Sequence, residues 1–186
     1  MTTTHVLKVE MLTAEAFAPF GQVIEPPERK PDFQGLSGTQ LWGLDFEVDG
    51  RLQLGFVRVP HRPLSFKIME QHYGVTQTFI PVDGPPAIVA VAAPTDRDVT
   101  PKPDDVRAFL LDGRRGYILG RRTWHSLDRF PLYPTHGDWV ILTDWETTED
   151  LLRSADRLGA SLTRAIDFET IYGVSFGFDL THVSRS

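Results

Sequence analysis

The sequence predicts an all-β protein, an antiparallel sandwich or barrel with a few short peripheral helices. The first observation is a series of short runs rich in β-branched and aromatic residues, at 52–59, 65–70, 76–82, 87–92, 106–111, 116–119 and 138–143. The second is their punctuation. Pro60 to Pro63, Gly74, Gly84-Pro85-Pro86, Pro94 to Pro103 and Gly113 fall between most of them. Many short strands at regular spacing, set off by turn residues, mark a sandwich or barrel. The third is that helical spacing of apolar residues is confined to the ends of the chain.

In chain order, His5 to Val9 alternates apolar and polar and predicts an edge strand. Residues 13–21 predict a short helix, with Thr13 as N-cap and Pro19 and Gly21 as its stop. A strand follows at 22–25, then a Pro-rich polar loop at 26–31, too short to divide domains. Residues 35–50 read as loop and short strand around Leu41, Trp42 and Phe46. The runs 65–70 and 76–82 meet at Gly74 and predict a hairpin. After 143 the pattern changes. Leu151, Leu152, Ala155 and Leu158 lie at helical spacing, with Thr147 or Thr148 as cap and Gly159 as stop, which predicts a helix over 147–158. Residues 167–170 predict a turn and 173–180 a last strand. Its Phe176 and Phe178 suggest pairing with another sheet or another subunit. We expect one domain over 1–186, with an N-terminal extension and a C-terminal helix.

Composition narrows the function. A chain of 186 residues can bury a substantial core without staples. It has no Cys, which excludes disulfides, thiolate metal sites and a Cys nucleophile. Met1 is followed by Thr-Thr-Thr-His rather than a leader, and the apolar runs are strand-sized. A cytoplasmic protein without membrane partners is expected. The net charge of −6 argues against nucleic acid. Basic residues are mostly Arg, 15 against 4 Lys, which suits a bidentate grip on carboxylates. Arg114, Arg115, Arg121 and Arg122 cluster, and read as a solvated hairpin. There is no Gly-x-Ser-x-Gly elbow, no phosphate-binding loop and no His-Glu-x-x-His, and no nucleotide or flavin fingerprint.

The stretch that carries chemistry is Glu70-Gln71-His72 followed by Gln77-Thr78-Phe79-Ile80-Pro81. Side chains alternate along a strand, so Glu70 and His72 share a face, as do Gln77, Phe79 and Pro81. A carboxylate among Phe66, Ile68 and Phe79 would be costly unless paired or used. Desolvation would raise its pKa and suit it to proton transfer. Trp124 and His125 must point to opposite faces. Two imidazoles and a carboxylate suit a divalent transition metal.

The pattern Glu70-x-His72, four residues, Gln77, six residues, Gly84 resembles the first cupin motif, with Glu70 for its first His and Gln77 for its Glu. Gly120 to His125 resembles the second in degenerate form. The set Glu/His/Gln with Thr-Gln-x-Phe-Ile-Pro and the later Trp-His is similar to the ureidoglycolate lyase family of the cupin superfamily. The resemblance spans about 5–180. It implies a cupin-type jelly-roll barrel, a homodimer, and lyase cleavage of ureidoglycolate, a small anionic organic acid, to glyoxylate and urea in allantoin and purine catabolism. It implies Glu70, His72 and His125 as catalytic residues or as ligands of a divalent metal (nickel, zinc or manganese). Gln77, Arg58 and Trp42 would bind substrate, Arg58 as the carboxylate anchor. The chain departs from the family at Leu36 and Trp42, where an Asn and an Arg are usual. It departs again at Ser126, where a second His is usual, with extra residues after it. Two alternatives follow: a cupin enzyme acting on a bulkier acid, or a non-catalytic small-molecule-binding cupin.

Overall fold

The structure, a computed structural model, describes residues 2–82, 84–133, 135–154 and 160–183. Strand β1 (Thr3–Met11) leads into helix α1 (Ala14–Phe17), capped by Thr13, whose hydroxyl accepts from the Ala16 N–H. Then come β2 (Gly21–Ile24), β3 (Phe33–Gln34), β4 (Gln40–Leu41), β5 (Leu52–Pro60), β6 (Ser65–Phe66), β7 (Ile68–His72), β8 (Gln77–Pro81) and β9 (Ala87–Ala92). The second half runs through β10 (Arg107–Leu111), β11 (Gly116–Leu119), β12 (Trp124–Ser126), β13 (Phe130–Pro131) and β14 (His136–Asp144). It ends with α2 (Trp145–Arg153), β15 (Thr163–Asp167), α3 (Phe168–Tyr172) and β16 (Val174–Asp179).

Two sheets carry the fold. The larger has nine strands in the order β15-β7-β12-β9-β10-β1-β16-β6, with β13 also on β9. The smaller has the order β2-β11-β8-β14-β5, and β3-β4 form a separate hairpin. The larger sheet curls, as in a jelly roll. One apolar cluster lies between the sheets, joining Val89, Val91 and Phe109 to Phe79, Tyr117 and Trp139, with Phe17 of α1 against Phe109 and Tyr117. The other lies on the opposite face, joining Ile88, Ala90 and Trp124 to Met69, Phe130 and Phe176. Strand β9 is therefore buried on both faces, which explains its unbroken Ala-Ile-Val-Ala-Val-Ala run. Truncating a fully buried ring such as Phe109 would cost roughly 3–5 kcal/mol. Gly113 holds the β10–β11 turn at φ +75°, and a Cβ there would meet the Gly84 carbonyl oxygen at 2.6 Å.

Several expectations need correction. Strands β7 and β8 are not a hairpin. The first pairs with β12 and β15 in the large sheet, and the second with β11 and β14 in the small one. The bend at Tyr73-Gly74 passes the chain from one sheet to the other. The run 65–70 breaks at Lys67, so Phe66 packs with Phe176 and Phe178 in the opposite cluster rather than beside Glu70. Strand β1 is not an edge, since β10 and β16 flank it, both parallel. The cap of α2 is Asp144, whose carboxylate accepts from the Thr147 N–H, not Thr147 or Thr148. The expected end of that helix, with Ala155, Leu158 and Gly159, lies outside the described residues. Strand β16 pairs with β1 and β6 of its own chain, and Phe176 is fully buried between them.

Candidate active site

Glu70 and His72 project from β7 into the space between the sheets, while Met69, just before them, enters the opposite cluster. Parity on a strand dictates this split. His125 on β12 is the cross-strand partner of Glu70, and Trp124 beside it faces the other way. All three polar side chains are buried: Glu70 is 3% exposed, His72 4% and His125 2%. One ligand atom from each lies within 4.8 Å of the others. His72 Nε2 is 3.7 Å from Glu70 Oε1, and the two imidazole centroids are 5.1 Å apart.

Neighbouring groups orient both rings. His125 Nδ1 lies 3.0 Å from the Ser126 carbonyl oxygen. A carbonyl only accepts, so Nδ1 carries the proton and Nε2 presents its lone pair to the cluster. Among the described residues, that buried Nε2 has no hydrogen-bond partner. Burial pushes the His125 pKa down to about 3, against the opposing pull of Glu70, so the ring is neutral at ordinary pH. His72 Nδ1 is 2.8 Å from Thr163 Oγ1 on β15, the strand that pairs β7 on its other side. This donor set, one carboxylate and two imidazoles with orienting outer partners, fits a divalent metal ion.

The other expected residues lie on other elements. Gln77 is buried on β8 of the small sheet. Its Nε2 donates to Thr143 Oγ1 at 3.4 Å, and its Oε1 makes no hydrogen bond. Arg58 is a correction. It lies on the outer face of β5, opposite the inward Val57 and Val59, in a bidentate ion pair with Asp138. The strand's alternation turns Arg58 to solvent, so it cannot anchor a substrate between the sheets. Trp42 follows the separate β3–β4 hairpin, and its indole N–H donates to the Arg29 carbonyl. The clustered arginines find surface acids: Arg115 pairs with Glu25 and Asp112, Arg121 with Glu47 and Asp49, and Arg122 with Asp96.

Two residues were not anticipated. Thr163 gave no signal, because β15 is short and mixed in polarity. Arg129 gave none either, because it follows the bend at 127–128, where strand alternation does not hold. Arg129 is 4% exposed, stacked 3.5 Å above the Phe79 ring, with its Nε donating to the Tyr117 hydroxyl.

A curled β-sandwich with a buried carboxylate–imidazole cluster between its sheets is the architecture of a cupin. The family model described as ureidoglycolate lyase matches residues 4–155, and the chain belongs to that family. It is 38% identical over 128 residues to the ureidoglycolate lyase of Rhodobacter capsulatus, covering 65% of this chain and 76% of that protein. It is 36% identical over 130 residues to the Azotobacter vinelandii ureidoglycolate lyase, covering 65% and 75%. It is 35% identical over 129 residues to ureidoglycolate lyase 1 of Rhizobium meliloti, covering 66% and 74%. Thr163 lies beyond the residues that the family model matches.

Proposed function

We propose that this protein is a carbon–nitrogen lyase that cleaves ureidoglycolate to glyoxylate and urea, in the breakdown of purine-derived nitrogen. The observation that carries the reading is the buried Glu70–His72–His125 cluster, set in a chain of this family. The substrate carbon bears a hydroxyl, a carboxylate and a ureido nitrogen. Removing the hydroxyl proton lets a carbonyl form as the C–N bond breaks, and the departing nitrogen takes a proton to give urea. No water is consumed. Glu70 is the carboxylate of the cluster and suits proton removal, with His72 at 3.7 Å placed to pass a proton on. His125, held neutral, lends its lone pair without adding a cation. Gln77 offers an amide that matches the ureido group.

In the alternative to that proton work, Glu70, His72 and His125 would hold a divalent cation (nickel, zinc or manganese), which would polarise the substrate hydroxyl and ease its ionisation. Chelation should then lower turnover, with one of these ions restoring it; undiminished turnover after exhaustive chelation would leave the proton work to the side chains alone. The reading itself is tested by product analysis. Purified protein and ureidoglycolate should give equimolar glyoxylate and urea without ammonia. Binding without turnover would favour the non-catalytic cupin, and turnover only of a bulkier acid the other enzyme.

We also read residues 1–186 as one cupin-like domain, since β1 and β16 lie side by side in one sheet. A cytoplasmic location accords with the absence, among the described residues, of any helix long and apolar enough to cross a membrane. A homodimer remains part of the proposal, with a different contact from the one the sequence suggested. Strand β5 ends the small sheet, and its outer face exposes Leu52, Leu54 and Phe56. A second copy adding at that edge would cover both the free strand and the apolar face.

A further inference from the structure

Among the described residues, Arg129 is a buried cation with no acid paired to it. Its guanidinium stacks 3.5 Å above the centre of Phe79, and Nε donates to the Tyr117 hydroxyl at 2.7 Å. Burial pushes the Tyr117 phenol pKa up, so that partner is neutral. Among the described residues no carboxylate lies within ion-pair distance of Arg129, and its buried Nη2 makes no hydrogen bond. The arginines near it in sequence, Arg121 and Arg122, have surface acids instead. A buried charge lacking a counterion is costly, and leaving donors unsatisfied adds to the cost. Such a group is retained where something anionic completes it.

Its placement relates it to the cluster. His125 pairs with Val91 of β9, and Phe130 pairs with Ile88, so Arg129 precedes β13 by one residue and falls beside Val89. Val89 and Val91 are successive residues on the inner face of β9, roughly 7 Å apart. The intervening residues form a hump. The Ser126 hydroxyl accepts from the Ala90 N–H and donates to the Asp128 carbonyl. Ser126 and the extra residues after it are where the sequence departs from its family pattern, and this hump delivers Arg129 to the interior.

We propose that Arg129 is an anion subsite that binds the substrate's carboxylate, beside the Glu70–His72–His125 cluster. This rests on the lyase reading for the identity of the acid, but not for the existence of the site. Guanidinium geometry matches a carboxylate in bidentate fashion, and Phe79 fixes the plane of the fork. The subsite takes over the role that the sequence had given to Arg58. It selects small 2-hydroxy or 2-oxo acids over their neutral amides.

The test is calorimetric binding of glycolate against glycolamide, an uncharged analogue of closely similar shape. Both are measured on the protein as purified and after chelation with EDTA. Wild type should prefer glycolate at least tenfold in both preparations. Arg129→Met should lose that preference, and Arg129→Lys should keep only part of it. Circular dichroism and thermal melting establish that each variant is folded. If Arg129→Met fails to fold, loss of most of the preference in folded Arg129→Lys supports the proposal and a full preference there overturns it. Equal binding of the two probes by wild type, or an unchanged preference in folded Arg129→Met, also overturns it. Wild type that prefers glycolate but never turns over ureidoglycolate would keep the subsite and remove the lyase reading.

Discussion

Glu70 lies on a strand flanked on both sides by strands that serve it. Strand β12 places His125 across from it, and β15 places Thr163 against its neighbour His72. Glu70→Gln keeps the shape and removes the proposed base. It should spare the melting temperature and lower kcat by about 10²–10⁴-fold, the usual range for a general base. Thr163→Val removes the hydrogen bond that orients His72 while keeping the volume. A loss of about 10–100-fold in kcat or in metal affinity, with KM little changed, is expected of such an outer partner. Unaltered metal affinity and kcat in Thr163→Val would show that the contact does not position the ring. Period-two counting was enough to read Glu70, His72 and His125 as inward. The same counting, applied to β5, turns Arg58 outward beside Leu54 and Phe56; Arg129 follows a bend at 127–128, where the counting does not apply.

Among the elements, β1 depends on one partly exposed ion pair as well as on its apolar side chains. Arg107 on β10 grips the Glu10 carboxylate with two hydrogen bonds and also reaches the Ala16 carbonyl of α1. The hydrogen bond from Arg107 holds the Glu10 pKa below its ordinary value. A depressed carboxyl pKa adds stability above the unfolded value, and that stability is lost as pH falls through the folded one. Glu10→Gln should therefore cost up to about 1 kcal/mol at neutral pH. The gap from wild type, read from denaturant midpoints, should close as pH drops below 4.5 toward the lowered pKa. Asp144→Ala should cost about 1 kcal/mol through the lost cap of α2. The central strands were legible because each one's β-branched run is bounded by turn residues; β9 and β11 matched to the residue. Strand partners were not legible, because pairing is settled by distant segments: β7 and β8 adjoin in sequence yet lie in facing sheets. Strands β12, β13 and β15 escaped notice because two to five residues of mixed polarity carry little periodicity.

For the molecule as a whole, the curled sheet explains why the Glu70–His72–His125 cluster is shielded. One face of β7 meets the space between the sheets, and the other packs Met69 against Ile166 and Phe168. The small sheet closes the opposite side with Gln77 and Phe79. Its outer face, with Leu54 72% and Phe56 58% exposed, is the surface expected to bring two copies together. Sedimentation at micromolar concentration should give twice the chain mass of 21.0 kDa, and Phe56→Lys should shift it toward the monomer. A single-chain mass for the wild type would remove the dimer. The central claim is that the buried cluster cleaves ureidoglycolate by elimination, and its most direct measurement is the yield of urea and glyoxylate from wild type and from Glu70→Gln side by side. The account predicts matched, equimolar products from the wild type and at least a hundredfold slower release from the folded variant. No urea from the wild type, or undiminished release from Glu70→Gln, would contradict it.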